Sequence, residues 1–309
     1  MQLLTNRVIM ISPDRFGFNP QTAGSNDWQN IPPDEKKTRE NALKEFKTMV
    51  QTLRKEGIEV SILTSRKDAV TPDAVFPNNW FSIHTDEGKN KIVIYPMLAP
   101  NRREERQVKN LLEKLEGIGI SNIEIIDLSP DEKNGLILEG TGSMVLDRKH
   151  KIAYTLASPR TIEEEFNKWL KLMAYKGVFF HAVANTGNPI YHTNVAMSVG
   201  DGFAVLCTEA IPVKERSKVV NSLKTHSEII EISLDQVSHF AGNILHLRAA
   251  DGTPKIILSK NAYHAFTSAQ KQILQKYGQL VPVDISTIET VGGGSARCML
   301  AEVFPAKSS

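Results

Sequence analysis

Amphipathic segments rich in charged residues recur along the chain at intervals of roughly 50 to 65 residues. Their apolar residues follow the 3.6-residue period that predicts a helix with one buried face. Five helices are predicted on this basis: Glu35–Glu56, Arg102–Glu116, Ile162–Tyr175, Val213–Thr225 and Ala262–Tyr277. Each is followed by a short apolar run that predicts a strand: Val60–Leu63, Ile123–Leu128, Val178–Val183, Ile229–Ser233 and Val281–Ile285.

Pairs of apolar runs before the later helices predict β-hairpins. They are Phe81–His84 with Ile92–Tyr95, Ser143–Leu146 with Ile152–Leu156, Val195–Val199 with Phe203–Cys207, and Asn243–Leu247 with Lys255–Leu258. The predicted unit is therefore strand, strand, helix, strand, used about five times. A doubly wound α/β fold alternates single strands with helices and does not insert hairpins. Five such units closed in a ring would direct their short loops at a central channel, and we expect residues 1–309 to form one domain.

Composition indicates an ordinary globular protein with a small-molecule ligand. The 309 residues carry a formal net charge of +2, and the basic residues are spread rather than clustered, so nucleic acid is not expected as a partner. Two distant cysteines, Cys207 and Cys298, indicate neither a disulfide framework nor a zinc cluster. Met1–Ser12 is too short an apolar run for a signal peptide, and nothing later is long enough to span a membrane. A cytoplasmic protein without a membrane partner is predicted.

Cys298 is the first candidate for chemistry. It follows three glycines and Arg297 in Val291-Gly-Gly-Gly-Ser-Ala-Arg-Cys298. Glycines allow close backbone approach, and a neighbouring cation favours the nucleophilic thiolate. The alternative is a buried structural cysteine that enters a last strand, Arg297–Phe304. Corresponding loops at 71–80, 138–143, 190–194 and 240–243 also join polar side chains to glycine, proline or small residues, which packing alone does not explain.

His192 and Glu139 are the candidates for acid–base chemistry. His192 stands at a strand entrance beside Asn194, whereas most other histidines fall on predicted strands or helices; His239 is its main rival. Glu139 ends the apolar run Leu136-Ile-Leu-Glu139, so its carboxylate is expected to be buried and to need donors or a cationic partner. A surface acid paired with a lysine is the alternative for Glu139, and a structural histidine is the alternative for His192.

These residues resemble the guanidino-group-modifying superfamily of arginine deiminases, dimethylarginine dimethylaminohydrolases and amidinotransferases. The matching motifs span nearly the whole chain. Most similar are the citrulline-utilisation hydrolases, on the segments Phe76-Pro-Asn-Asn-Trp-Phe-Ser82, Leu138-Glu-Gly-Thr-Gly-Ser143, Tyr191-His-Thr-Asn-Val195 and Gly292-Gly-Gly-Ser-Ala-Arg-Cys298. The resemblance implies a five-bladed α/β propeller without metal or organic cofactor, in agreement with the repeated unit.

The resemblance also implies roles for individual residues. Cys298 would be the nucleophile, His192 the acid and base, and Glu139 a carboxylate that contacts a substrate nitrogen and orients the histidine. Asp73 matches an acid of the substrate pocket. Arg102 and Arg160 fall where dimethylarginine hydrolases hold the substrate carboxylate, a role for which Arg103 and Arg15 are alternatives; planar guanidinium groups suit carboxylates.

The substrate expectation depends on three asparagines. Guanidine-binding relatives carry acids at the positions of Asn78, Asn79 and Asn194, and an amide matches a neutral ureido group better than a cation. The resemblance therefore implies hydrolysis of citrulline to ornithine, carbon dioxide and ammonia through an S-linked intermediate. An arginine deiminase or dimethylarginine hydrolase is the nearest alternative, and a non-catalytic ureido or amino-acid binding protein is another. Relatives often form dimers or tetramers, so homo-oligomerisation is an option. Segment Asp14–Asp27 is either a surface loop or a substrate lid.

Overall fold

Strands in the described part of the chain form five separate sheets of three strands each. The computed structural model describes residues 4–86 and 88–304. The strands are β1 (Arg7–Ser12), β2 (Glu59–Thr64), β3 (Phe81–Asp86), β4 (Lys89–Ile94), β5 (Ile123–Asp127), β6 (Met144–Asp147), β7 (Ile152–Leu156), β8 (Lys176–Phe180), β9 (Met197–Val199), β10 (Phe203–Leu206), β11 (Glu228–Glu231), β12 (Leu245–Arg248), β13 (Pro254–Ser259), β14 (Gln279–Val283) and β15 (Ala301–Glu302).

All five sheets have the same internal pattern. The middle strand pairs antiparallel with one neighbour and parallel with the other, in the orders β3-β4-β5, β6-β7-β8, β9-β10-β11, β12-β13-β14 and β15-β1-β2. In four sheets the antiparallel pair is a hairpin, which confirms the predicted unit. The fifth sheet pairs the last described strand with the first, a long-range contact that no local pattern indicates.

Helices connect the middle and third strands of the sheets, so the fold is mixed α/β. The α-helices are Pro20–Ala23, Glu35–Lys55, Pro100–Arg103, Val108–Gly117, Gly140–Ser143, Glu163–Met173, Thr193–Ala196, Val213–Lys224, Leu234–Ser238, Lys260–Ala265, Ser268–Tyr277 and Ser286–Gly292, and the 3-10 helices are Pro77–Asn79, Ser129–Asn134 and Ala296–Met299. Three of the five predicted helices are confirmed with ends shifted by one or two residues.

Two predicted helices are each divided into two in the structure. Ala262–Tyr277 is interrupted at Phe266, whose backbone is extended, and a new helix begins at Thr267 with a capping box to Gln270. Arg102–Glu116 is interrupted after Arg103, and the second helix begins at Val108. The interruption leaves Arg102 buried next to the site described below, whereas an uninterrupted surface helix would expose it.

Apolar faces of the helices pack on the sheets, as the amphipathic pattern predicts. In Glu35–Lys55 the buried residues Ala42, Phe46, Met49 and Leu53 recur every three or four positions, and the Asp34 side chain accepts a hydrogen bond from the Lys37 N–H to cap the helix. Contacts link β15 with β3, β6 with β9, and β9 with β12. These contacts bring the ends of different sheets together. Residues 1–3, 87 and 305–309 of the predicted 1–309 domain lie outside the described residues.

Candidate active site

Five short turns, one before the strand that opens each antiparallel pair, build the candidate site. They are the helical turns Pro77–Asn79 before β3, Gly140–Ser143 before β6, Thr193–Ala196 before β9 and Ala296–Met299 before β15, and the turn at residues 240–243 before β12. Gly140–Ser143 contacts both Pro77–Asn79 and Thr193–Ala196, and Pro77–Asn79 contacts Ala296–Met299. The sequence-predicted loops therefore do meet.

Cys298 lies in one of these turns, buried and held by amides. Its Sγ accepts hydrogen bonds from Nδ2 of Asn243 at 3.2 Å and Nδ2 of Asn194 at 3.4 Å. The alternative of a cysteine within a strand Arg297–Phe304 does not fit, because residues 296–299 are helical and only Ala301–Glu302 pairs. The guanidinium of Arg297 donates to the Leu300 carbonyl and to Glu302 instead of to the sulfur.

His192 and Glu139 form a buried pair, joined by a 2.9 Å hydrogen bond between Nε2 and Oε2. Burial lowers the pKa of His192 to about 4, although Glu139 acts in the opposite direction. Burial opposes ionisation of Glu139, but Arg160, His192 and Arg102 outweigh it and lower the pKa of this carboxyl to about 2. A neutral imidazole that donates from Nε2 leaves Nδ1 unprotonated and able to accept a proton.

Gly142 keeps the unprotonated nitrogen of His192 accessible. A Cβ atom at this position would lie 2.7 Å from Nδ1 of His192 and 2.3 Å from Nδ2 of Asn79, so both polar groups approach the bare Cα. The spacing Glu139-Gly-Thr-Gly142 thus places a carboxylate on one side of the imidazole ring and a residue without a side chain on the other. This explains the glycine of the motif in physical terms.

The three predicted asparagines are buried and leave amide atoms unused. Both side-chain polar atoms of Asn78, Nδ2 of Asn79 and Oδ1 of Asn194 lack a hydrogen-bond partner among the described residues. Buried polar groups are normally satisfied, so each unsatisfied atom calls for an explanation. Four unsatisfied amide atoms, two donors and two acceptors, on turns that contact the cysteine turn indicate the polar lining of a ligand site.

Asp73 and Arg102 lie in a buried network next to these amides. Oδ2 of Asp73 accepts from Asn19 at 2.7 Å and from Thr22 at 3.1 Å, while Oδ1 has no partner among the described residues. Burial raises the pKa of Asp73, although Arg102 and Asn19 act against it. Arg102 binds Glu105 through two nitrogens at 2.9 and 3.0 Å and donates to Oδ1 of Asn79 at 2.7 Å.

Arg102 and Arg160 differ in how many of their guanidinium nitrogens already donate hydrogen bonds to the protein. Every guanidinium nitrogen of Arg102 donates to a protein acceptor, so the structure favours a role in holding Asn79 over direct capture of a substrate carboxylate. Arg160 donates to the Ser25 hydroxyl and the Thr22 carbonyl, lies over the ring of Tyr191, and directs Nη1 to within 3.7 Å of Glu139. Its Nη1 makes no hydrogen bond among those described.

The two alternative arginines bind backbone elsewhere. Arg103 donates to the Met97 and Leu98 carbonyls, and Arg15 donates to the Lys67 carbonyl. Segment Asp14–Asp27, by contrast, contacts the site through Asn19, Thr22 and Ser25, which fits a covering segment better than a surface loop.

Asn243 is a site residue that the sequence analysis did not single out. It lies at the end of the fifth turn, fully buried, and contacts the cysteine sulfur. Position in the repeat was the available signal, because each of the other four turns supplies a candidate residue.

No group of three or more His, Cys, Asp or Glu side chains within 4–86 and 88–304 could hold a metal ion. Over the same residues, no helix is long and apolar enough to cross a bilayer.

Comparisons with known proteins identify chains with a similar fold. The N-terminal domain of ArgZ, an arginine dihydrolase from the ornithine-ammonia cycle in cyanobacteria, matches over 96% of this chain and 98% of its own, with 19% identity and a TM-score of 0.72. AgrE, in a complex with ornithine and NAD+, matches over 98% of this chain with 20% identity and a TM-score of 0.73; the chain spans 40% of AgrE. A variant dimethylarginine dimethylaminohydrolase, in an adduct with S-methyl-L-thiocitrulline, matches over 96% of this chain and 99% of its own, at 14% identity and a TM-score of 0.64.

At these identities the solved structures establish the fold. A search of curated proteins found no match. The family is shown by a model described as "N,N dimethylarginine dimethylhydrolase, eukaryotic", which matches residues 12–305. The chain therefore belongs to this hydrolase family, within the guanidino-group-modifying superfamily that its motifs resemble.

Proposed function

We propose that the protein is a cysteine-dependent hydrolase that cleaves the terminal ureido group of a citrulline-like amino acid. The observation that carries the proposal is the set of unsatisfied amide atoms of Asn78, Asn79 and Asn194 on the turns around Cys298. An amide offers a donor and an acceptor, as a ureido group does, whereas a guanidinium offers only donors. An amide donor facing a guanidinium would be left unpaired, which costs binding energy.

The proposed reaction uses three residues in turn. Nδ1 of His192 takes the thiol proton of Cys298 as Sγ attacks the ureido carbon, and the resulting imidazolium gives that proton to the departing nitrogen. Water, activated by Nδ1 of the same histidine, then hydrolyses the S-linked intermediate and releases the thiol. Glu139 holds the imidazole through Nε2 and stabilises its protonated form during each transfer. The products are ornithine, carbon dioxide and ammonia, and no step uses a metal or an organic cofactor.

A guanidino substrate is the second candidate, and the comparisons favour it over citrulline. The family model is described for N,N-dimethylarginine, and the ArgZ neighbour is an arginine dihydrolase. Within the site, the free Oδ1 of Asp73 is an anionic acceptor suited to a cation. Its neighbour Arg102 and the second arginine, Arg160, nevertheless supply two positive charges near Asp73 and Glu139. With Glu105, which binds Arg102, the cluster has three carboxyl groups and two guanidinium groups, so its formal charge of −1 also suits a guanidinium substrate.

A direct assay distinguishes the ureido substrate from the guanidino substrate. Purified protein is incubated with citrulline, arginine or asymmetric dimethylarginine, and ammonia, ornithine and citrulline are quantified. The proposal expects the highest kcat/KM with citrulline and ornithine as the product. A higher kcat/KM with arginine or dimethylarginine would replace it with the guanidino candidate. Absence of turnover with all three by a folded protein would leave a binding protein, a reading that the complete Cys298, His192 and Glu139 set disfavours.

Asparagine-to-aspartate variants test the specificity argument within the site. In Asn79→Asp, one carboxylate oxygen can keep the bond from Arg102 while the other replaces the free amide donor. We expect citrulline turnover to fall by about 10- to 100-fold, since a donor lost at a buried polar contact costs about 1–3 kcal/mol. Asn221→Asp, on an exposed helix face, is the matched control. Unchanged citrulline turnover in Asn79→Asp would contradict the role of this amide.

We also propose that the five sheets close as the blades of a five-bladed propeller around the site. The contacts of β15 with β3, β6 with β9 and β9 with β12 support this arrangement, as does the supply of one site turn by each sheet. The α-carboxylate of the substrate is assigned to Arg160, whose Nη1 is available, and Asp14–Asp27 to a cover over the bound substrate. A crystal structure with citrulline bound to Cys298→Ala would test all three assignments.

A further inference from the structure

The turn at residues 240–243 contributes Asn243 to the site, and this residue has no role in the reaction described above. Its side chain is fully buried, and both ends are used. Nδ2 donates to Sγ of Cys298 at 3.2 Å and to the Asn194 carbonyl at 2.9 Å, and Oδ1 accepts the Arg297 N–H at 3.0 Å and the Cys298 thiol at 3.7 Å. The residue is thus fixed at three points, with one N–H directed at the sulfur.

The fixed position of Asn243 depends on a close approach of its own turn to the next one. Gly242 lies so near the Thr193–Ala196 turn that a Cβ would be 2.3 Å from the Val195 carbonyl oxygen. Phe240 adopts a positive φ of 61°, a conformation that non-glycine residues rarely take. Strained backbone of this kind persists where the surrounding structure holds it in place. The surrounding structure therefore holds this turn in the position where Asn243 reaches the sulfur.

Among the described residues no cation donates a hydrogen bond to the sulfur of Cys298, although the charge of the buried Arg297 acts on it at longer range. The Arg297 guanidinium, its nearest candidate in sequence, is directed at Leu300 and Glu302, and the contacts described for Sγ are amides. A guanidinium substrate could supply a positive charge to the thiolate, but a ureido substrate cannot. N–H donors to a thiolate strengthen because the acceptor is charged. Amide donors can therefore stabilise the thiolate in place of a cation.

We propose that Asn243 is a catalytic residue that, together with Asn194, stabilises the thiolate of Cys298 before substrate binds. The proposal rests on the proposed function only in taking Cys298 as the nucleophile. Asn194 also borders the substrate through its free Oδ1, whereas Asn243 contacts the sulfur and the protein backbone alone. Substitution of Asn243 should therefore lower kcat with little effect on KM.

The test is the rate at which iodoacetamide alkylates Cys298 in the absence of substrate, in a Cys207→Ala background that leaves one thiol. Asn243→Asp is the main variant, because it is isosteric and keeps an acceptor for the Arg297 N–H while it replaces the donor with a carboxylate oxygen. We expect the alkylation rate at neutral pH to fall by about 10- to 100-fold, the effect of losing one hydrogen bond to a charged group. Asn221→Asp controls for one added charge on the protein surface, and the neutral variant Asn243→Ser controls for repulsion between a new carboxylate and the sulfur.

Circular dichroism and thermal unfolding establish that each variant is folded. Asn243→Ser removes the sulfur contact with no change of charge, and the same decrease is expected whether or not Asn243→Asp folds. An alkylation rate within about twofold of the parent in a folded variant would overturn the proposal. The readout needs no substrate, so it stands even if neither citrulline nor arginine is turned over. In that case the proposed function would fail while the assignment of Asn243 survived.

Discussion

The two cysteines of the chain are both buried but lie in different surroundings. Cys207 follows β10 inside a hydrophobic cluster, where burial raises the pKa of its thiol to about 11. Cys298 lies where turns from several sheets meet, with two side-chain amides on its sulfur. Burial alone therefore does not distinguish the two thiols. The side-chain amides of Asn194 and Asn243 reach Cys298, whereas the hydrogen bonds of Cys207 come from the backbone at Glu209 and Ala210.

The largest effect is expected from removal of the Cys298 sulfur. Cys298→Ala should lower turnover of the preferred substrate by about 10⁴-fold or more, since a covalent route no longer exists. The deletion removes a small side chain, so the far-UV circular dichroism spectrum should stay that of the parent. Steady-state assays of Cys298→Ala and Cys207→Ala side by side make the measurement. Substantial activity in Cys298→Ala would transfer the nucleophile to another residue.

His192→Ala should have the next largest effect, about 10²- to 10⁴-fold on kcat, the range for loss of an acid–base group. A purely structural histidine would change the unfolding temperature and leave kcat per folded molecule nearly intact. Kinetics and thermal unfolding on the same preparation distinguish these outcomes. Glu139→Gln keeps the shape of the partner and removes its charge, so it should reduce kcat by a smaller factor than His192→Ala.

The acid limb of the pH profile sharpens the comparison because only the Cys298 site depends on a titrating partner. The pKa of His192 is lowered to about 4, so the imidazole is neutral and can accept a proton above that pH. The value of kcat/KM, which reports the free enzyme, should remain level from pH 7 downwards and fall only near pH 4. Circular dichroism across the same range separates this fall from acid unfolding. A midpoint near 6.5, the ordinary value for a histidine, would contradict the lowered pKa of His192.

The smallest effect is expected from Cys207→Ala. Loss of a buried sulfur from an apolar cluster should reduce the free energy of unfolding by about 1 kcal/mol, and kcat and KM should stay within about twofold of the parent. Chemical denaturation and steady-state kinetics measure the two quantities. A large decrease in kcat at full folding would remove the distinction between the two cysteines.

Most of the fold was predictable from local patterns in the sequence. The hairpin-helix-strand unit was predictable because strand and helix periods are short-range properties, and four of the five sheets follow it. The pairing of β1 with β15 was not, since no local signal links residues almost 300 positions apart. The division of the helix near Arg102 was also missed; Arg102 there binds Glu105 three residues on and Asn79 from the turn before β3.

The candidate site was predictable where a motif had both an unusual residue and an unusual position. Cys298, His192 and Glu139 met that condition, and the structure joins the last two directly. Asn243 did not, because an asparagine in a turn is common and its contact with Cys298 forms only after two sheets pack. Arg102 lies beside Asn79 and Asp73, but its full set of protein partners could be seen only in the structure. Localisation in the cytoplasm and assembly into oligomers stay predictions.

The pairing of β15 with β1 has a consequence for how activity arises during folding. The nucleophile lies in the turn just before β15, and β15 is held by a strand from the opposite end of the described chain. Contacts between such distant residues carry a high entropic cost of loop closure and form late. A partly folded chain could complete four sheets and four turns and still have no positioned sulfur. Recovery of activity after denaturation should therefore lag behind recovery of secondary structure and report the closure of the last sheet.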